Sequence, residues 1–240
     1  MASFIENTNI ETGYLGLFIG PMYSGKTSKL IELYKQFRFC GVETMIINYA
    51  EDTRYSKDML STHDLNMVPC IMANTLSEVA DIVNDEPLEQ ETKEPNKTMW
   101  GSKGVEPLVI LINEGQFFKD IVEWVTVAVN KYKKCVYICG LDGDFKRELF
   151  GNWLDLIPLC DSVEKLHSFC SGCKRRPALF SHRITCEKEQ KVIGSSSKYV
   201  PLCRKCYETE NDKKNKRNDT INELEQFVND IELRVNELCE

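Results

Sequence analysis

"YLGLFIGPMYSGKT", residues 14–27, decides the fold. Its first half is a short apolar run that closes at Gly20, as a buried strand would. Its second half, "GPMYSGKT" (20–27), fits the pattern G-x-x-x-x-G-K-[ST]. "TSKLIELYKQFRFCG" (27–41) then takes up helical periodicity and stops at a glycine. Strand, glycine loop and helix in that order make a phosphate loop. Gly20 and Gly25 let the backbone curl until its N–H groups face inward. The helix adds its positive N-terminal end. Lys26 reaches the β and γ phosphates, and the Thr27 hydroxyl is placed to ligate Mg²⁺.

The pattern continues outward. "TMIINYA" (44–50), "VPCIMA" (68–73), "PLVILIN" (107–113) and "CVYICGL" (135–141) read as strands, and 76–83 and 119–134 as helices. Apolar strands alternating with helices predict an α/β fold, a mostly parallel sheet covered on both faces. The domain boundaries follow: 1–161 as the phosphate-loop unit, 162–207 as a smaller unit, 208–240 as a tail. Residues 84–106, polar and without a period, read as an exposed insertion. In the tail, "ENDKKNKRND" (210–219) reads as a charged linker. Beyond it Ile221, Leu224, Val228, Ile231, Val235 and Leu238 alternate in steps of three and four, a heptad seam. The seam suits self-association or one amphipathic helix packed on its own domain.

The strand ending at residue 113 is the one expected to offer an acid to a metal ion beside the phosphate loop. It ends in Asn113-Glu114, so an amide stands where a carboxylate is expected.

Composition bounds the rest. No stretch is apolar enough to span a membrane, and the first residues lack the features of a signal peptide, so a cytoplasmic protein is expected. A net charge of -7 argues against a broad grip on nucleic acid. The 11 cysteines favour reduced thiols or a metal over disulfides. Cys170-x2-Cys173 and Cys203-x2-Cys206 suit a closed, structural Zn²⁺ site of four thiolates. Cys40, Cys70, Cys135, Cys139 and Cys160 read as small core residues, and Cys186 is left out of the site. His63, His167 and His182 show no ligand spacing and read as surface or hydrogen-bonded residues.

"GPMYSGKT", "NYAEDTRY" (48–55), "STHD" (61–64), "NEGQFF" (113–118), "GLDGDFKRELFG" (140–151) and "KYVPLCRKCY" (198–207) occur in this order. Together they resemble the type II thymidine kinases, the zinc-containing group of animals, many bacteria and large DNA viruses. The resemblance covers roughly residues 14–207. It implies an ATP- and Mg²⁺-dependent kinase acting on the 5′-hydroxyl of thymidine or deoxyuridine. It also implies a zinc unit whose loop, about 180–199, closes over the nucleoside. A homotetramer and feedback by thymidine triphosphate are further expectations of the family, with no nucleic-acid partner.

By the same resemblance Glu114 is the catalytic base, with Lys26 and Arg54 at the transferred phosphoryl group. Gly20, Met22, Tyr23, Ser24, Gly25, Lys26, Thr27 and Ser28, with Asp52, Asn113 and Gln116, would hold ATP and Mg²⁺. Met22, Phe117, Leu141, Phe145 and Phe150 would surround the deoxynucleoside. Ser181 would pack on the thymine methyl, and Val192, Gly194 and Tyr199 would read the base's polar edge. Most members carry Asp-Glu where this chain has Asn113-Glu114. Because Glu114 remains, the chain is expected to be active with weaker Mg²⁺ dependence. Two rivals are a degenerate or nucleic-acid-stimulated ATPase with a zinc ribbon, and a non-catalytic assembly protein.

Overall fold

A computed structural model describes residues 12–52, 59–61, 66–82, 109–192, 194 and 197–238. In chain order its elements are β1 (Tyr14–Ile19), α1 (Lys26–Phe39), β2 (Thr44–Tyr49), β3 (Met59–Ser61), β4 (Met67–Pro69), β5 (Ile71–Ala73), β6 (Val109–Ile112), α2 (Ile121–Asn130), β7 (Cys135–Gly140), β8 (Ser162–Lys165), β9 (Ser168–Phe169), β10 (Pro177–Ala178), β11 (Phe180–Arg183), β12 (Tyr199–Leu202) and α3 (Arg204–Leu238). Turns of 3-10 helix occupy Leu76–Ile82, Gly115–Phe117 and Trp153–Leu159.

One six-stranded sheet runs β5-β2-β6-β7-β1-β8, and all its pairings are parallel. The period of two decides which side each residue takes. Met45, Ile47, Ile110, Ile112, Val136 and Ile138 pack under α2 and the 3-10 turn carrying Trp153. Ile46, Val109, Leu111, Cys135, Tyr137 and Cys139 pack under Leu30 and Ile31 of α1. Both faces are therefore apolar, as the near-continuous hydrophobic strands require.

Carrying this alternation one step past the core builds the site. Asn48 follows Ile46, Asn113 follows Leu111, and Cys139 follows Tyr137. Ile47 is level with Ile112, and Ile112 with Ile138. Asn48, Asn113 and Cys139 thus stand in a row at the carboxyl ends of β2, β6 and β7, on the side where α1 begins.

The smaller unit is two short antiparallel pairs, β9 with β10 and β11 with β12. A long loop joins β11 to β12, and α3 leaves directly after Cys203.

Several expectations need correction. Residues 68–73 are split by Cys70: β4 pairs with β3, while β5 joins the main sheet. The 76–83 helix is a 3-10 turn, with Asp120 accepting the N–H groups of Leu76 and Ser77 at its start. Residues 210–219 are not a linker but part of α3, 35 residues long. Their Lys, Arg and Glu are good helix formers, so a run of charge did not mean a break. Cys40 is exposed at the end of α1 and Cys160 only half-buried, whereas Cys70, Cys135 and Cys139 are buried as expected. His182 is buried with its ring edge-on to Tyr207, and its Nδ1 has no hydrogen-bond partner. Arg54, His63 and the insertion 84–106 lie outside the described residues, as do the side chains of Val235 and Leu238. No helix among the described residues is long and apolar enough to cross a membrane.

Candidate active site

The phosphate loop leaves β1 and turns into α1 at Gly25, whose φ of 84° is left-handed and so favours glycine. Gly20 is also at positive φ, and a Cβ there would lie 2.4 Å from the Leu166 carbonyl oxygen. Both glycines of the motif are thus required by the backbone. The Lys26 ammonium is buried within the loop and donates to the Pro21 carbonyl at 2.7 Å and to Ser24 Oγ at 3.5 Å.

The Thr27 hydroxyl donates to Asn113 Oδ1 at 3.2 Å. The same oxygen accepts the Cys139 thiol at 3.0 Å, and Asn113 Nδ2 donates to Asn48 Oδ1 at 2.8 Å. Burial first, and the charge of Glu114 second, push the Cys139 thiol up to about 12, so it stays protonated as a donor. The unexpected amide is therefore satisfied on both its ends. This matters because Asn113 is only 2% exposed, and a buried polar group without partners costs about 1–3 kcal/mol.

Glu114 follows with φ 58° and ψ 45°, a left-handed backbone on a non-glycine residue. Such strain persists where the surroundings hold it, and it collects at functional positions. Gln116 supplies part of the hold. Its Nε2 donates to Glu114 Oε2 at 2.6 Å, and its Oε1 accepts the Leu141 N–H at 2.9 Å.

These groups share one cleft of about 1120 Å³ including its open mouth. Residues Met22 through Ser28, with Asn113, Glu114, Gln116 and Asp52, line it, and so do Phe117, Leu141, Phe145, Phe150, Ser181, Val192, Gly194 and Tyr199. Phe150 meets Phe117 edge-on, and Ser181 Oγ accepts the Met22 N–H at 2.9 Å, tying β11 to the phosphate loop. Of the sequence-predicted residues that are described, all line this one space except Gly20 and the four cysteines; Arg54 lies outside the described residues.

Cys170, Cys173, Cys203 and Cys206 place their sulfurs within 4.8 Å of one another. A Zn–S bond of about 2.3 Å in tetrahedral geometry needs S···S edges near 3.8 Å, and Cys173 and Cys203 are 3.9 Å apart. Burial raises the Cys170 thiol, but N–H groups of Cys203, Cys173 and Gly172 outweigh it and bring it down to about 6. Cys206, half-buried, is pushed up to about 12, first by its hydrogen bond to the Cys203 sulfur and then by desolvation. Without a cation the cluster cannot carry four thiolates, and the donor set fits Zn²⁺. None of the four cysteines lines the cleft, and four protein donors would leave a bound ion no open position.

Sequence reasoning missed Asn48, Asp144, Arg183, Gln190 and Lys191. Asp144 is buried and accepts the N–H groups of Lys146 and Glu148, then the Gln190 side chain at 2.9 Å. Asn48 carries one signal, its even spacing from Ile46. The others meet partners across a loop, which no local pattern reveals.

Comparison with known proteins agrees with this arrangement. A family model described as thymidine kinase matches residues 13–207. The cytosolic thymidine kinase of Cricetulus griseus is 38% identical over 195 residues, covering 81% of this chain and 73% of that one. The thymidine kinase of Yaba monkey tumor virus (strain VR587) is 38% identical over 199 residues, covering 83% and 97%. The human cytosolic thymidine kinase is 39% identical over 195 residues, covering 81% and 73%. Residues 208–240 lie outside the family match.

Proposed function

The chain belongs to the thymidine kinase family, and on that premise we propose that it moves the γ-phosphate of ATP to the 5′-hydroxyl of thymidine or deoxyuridine. The observation that carries this reading is the position of Glu114. It lines the same cleft as the phosphate loop and the paired rings of Phe117 and Phe150. Glu114, oriented by Gln116, takes the 5′-hydroxyl proton. Lys26 neutralises charge on the transferred group, and Arg54 adds to this. Thr27 and Asn113 would hold Mg²⁺, directly or through water; when bound, the ion screens the phosphate oxygens. Phe117, Leu141, Phe145, Phe150 and Met22 enclose the nucleoside. Ser181 meets the thymine methyl, and main-chain groups near Val192 and Gly194, with Tyr199, read the base edge. A site built to pair a pyrimidine carbonyl and N3–H leaves buried groups unpaired with cytosine, which rejects it strongly.

In this reading residues 1–161 supply the phosphate chemistry together with β8 (Ser162–Lys165), which pairs with β1 in the main sheet and so moves the expected boundary from 162 to beyond 165. The zinc-bearing unit from there to 207 supplies the loop over the nucleoside. A cytoplasmic homotetramer, inhibited by thymidine triphosphate, completes the proposal. It is tested by ADP release from ATP and Mg²⁺ with thymidine, deoxycytidine or no nucleoside. Turnover with thymidine alone is expected. Tight ATP binding with no thymidine-dependent turnover would favour a degenerate kinase, with Asn113 the first residue to suspect.

A further inference from the structure

Arg183, at the end of β11, has no part in the chemistry above, yet it is 1% exposed. A buried guanidinium is costly unless its donors are met, and here all five N–H donors are used. Nε and Nη2 donate to the Tyr199 hydroxyl at 3.0 and 2.6 Å. Nη1 donates to the main-chain oxygens of Glu187, at 3.0 Å, and Glu189. Nη2 also donates to the Gln190 carbonyl at 2.9 Å. Its plane lies over the Phe145 ring, with Cζ 3.7 Å from the centroid. Among the described residues no carboxylate pairs with it; carbonyl and hydroxyl dipoles and ring faces carry the charge.

Three carbonyls turned toward one side chain fix the course of the loop from 187 to 190. Tyr199 extends the hold by donating its proton to the Val192 carbonyl at 2.9 Å. The loop's side chains then bond two other segments. Gln190 bonds Asp144 and the Leu149 carbonyl. Lys191 bonds the Tyr49 hydroxyl at 2.8 Å and Glu51 at 2.7 Å. The Lys191–Glu51 pair is open to solvent and contributes little. The Arg183 fork is planar, dry and saturated, so the loop's order comes from it.

We propose that Arg183 is a positioning residue that presets the nucleoside wall of the cleft. It holds the main chain of 187–192 and the Phe145 ring ready for a pyrimidine nucleoside before one binds. The identity of that ligand rests on the kinase reading. Preorganisation removes an ordering cost from binding, so its loss falls on nucleoside affinity and spares ATP.

The test compares Arg183→Lys with the parent as full-length, zinc-loaded protein. It measures thymidine and ATP affinity by calorimetry, KM and kcat, zinc content, and hydrogen exchange of amides 184–192. Lysine keeps the charge and loses the fork. Thymidine affinity should fall by about tenfold or more, with faster exchange in the loop and with ATP affinity and zinc content unchanged. A variant that melts earlier but binds thymidine like the parent would overturn the proposal, leaving Arg183 merely structural. Should the lysine variant fail to fold, Arg183→Gln keeps a planar, uncharged donor over the Phe145 ring and loses the rest of the fork. Weaker thymidine binding with faster loop exchange is expected there too, and unchanged binding again overturns the proposal. A parent that binds thymidine without phosphorylating it would sink the kinase reading, while the variant comparison still decides the role of Arg183.

Discussion

The Thr27 hydroxyl and the Asn113 amide oxygen face each other across 3.2 Å, joining the first turn of α1 to the end of β6. An aspartate at 113 would offer the same acceptor with a negative charge. What the amide adds is a donor, and Asn48 receives it at 2.8 Å. Position 113 is therefore a completed neutral network rather than a broken acidic one.

That network makes Asn113→Asp informative. The new carboxylate would set a second oxygen against Asn48 Oδ1, so the Asn48 amide must turn over to donate. It would also add charge where Mg²⁺ is expected. Half-maximal activity should need less Mg²⁺, while kcat at saturating Mg²⁺ changes by less than about tenfold. A titration of activity against Mg²⁺ reads both. A rise of several orders of magnitude at saturating Mg²⁺ would mean that the parent is a crippled kinase.

Glu114→Gln keeps the bulk and removes the base. Turnover should drop by about 10²–10⁴-fold, the usual size of general-base catalysis. ATP affinity should hold, because Lys26 and the loop are untouched. Loss of ATP binding along with turnover would assign Glu114 to nucleotide binding instead.

His182 predicts a pH dependence of stability. Burial, and then the charge of Lys214, lower its pKa from 6.5, with Glu210 acting weakly the other way. A lowered folded pKa means that the unfolded chain takes the proton more readily. This contribution is whole above the unfolded value and is lost as pH falls below it toward the folded one. Melting temperature should decline on acidification from about pH 7 to pH 5.5. His182→Gln should flatten that decline relative to the parent. Equal slopes in the two proteins would remove His182 from the account.

α3 carries Ile221, Leu224, Val228 and Ile231 exposed, at alternating steps of three and four. A chain ending at Arg217 keeps the Lys214 bond to the Thr185 carbonyl and loses this stripe. It should remain active and run at a smaller assembled size in light scattering if the stripe joins copies. An unchanged size would assign the stripe no part in assembly, and lost activity would make the tail part of the active form.

The phosphate loop, the parallel sheet and the cysteine pairs were legible because each leaves a local pattern: a fixed glycine spacing, apolar runs alternating with helical ones, a CxxC repeat. The end of β6 was legible as an amide out of place, since strand alternation puts Asn113 on the α1 side. Its partner was not, because Asn48 lies on another strand and only the register of β2 with β6 brings the two level. Arg183 was hidden for a related reason. Its partners are main-chain carbonyls, which have no residue identity, and in "SHRITCEKEQK" it reads as one more solvated charge. The tail failed differently. Residues 210–219 look like a linker by charge, but their helix propensity lets α3 run straight through them.

The most direct test of the whole account is ADP release by the unmodified, zinc-loaded protein with ATP, Mg²⁺ and thymidine, against deoxycytidine and no nucleoside. Turnover that requires thymidine is the predicted result, and it would show that an amide at 113 is compatible with catalysis. Turnover indifferent to thymidine, in protein that binds both ATP and zinc, would contradict the account.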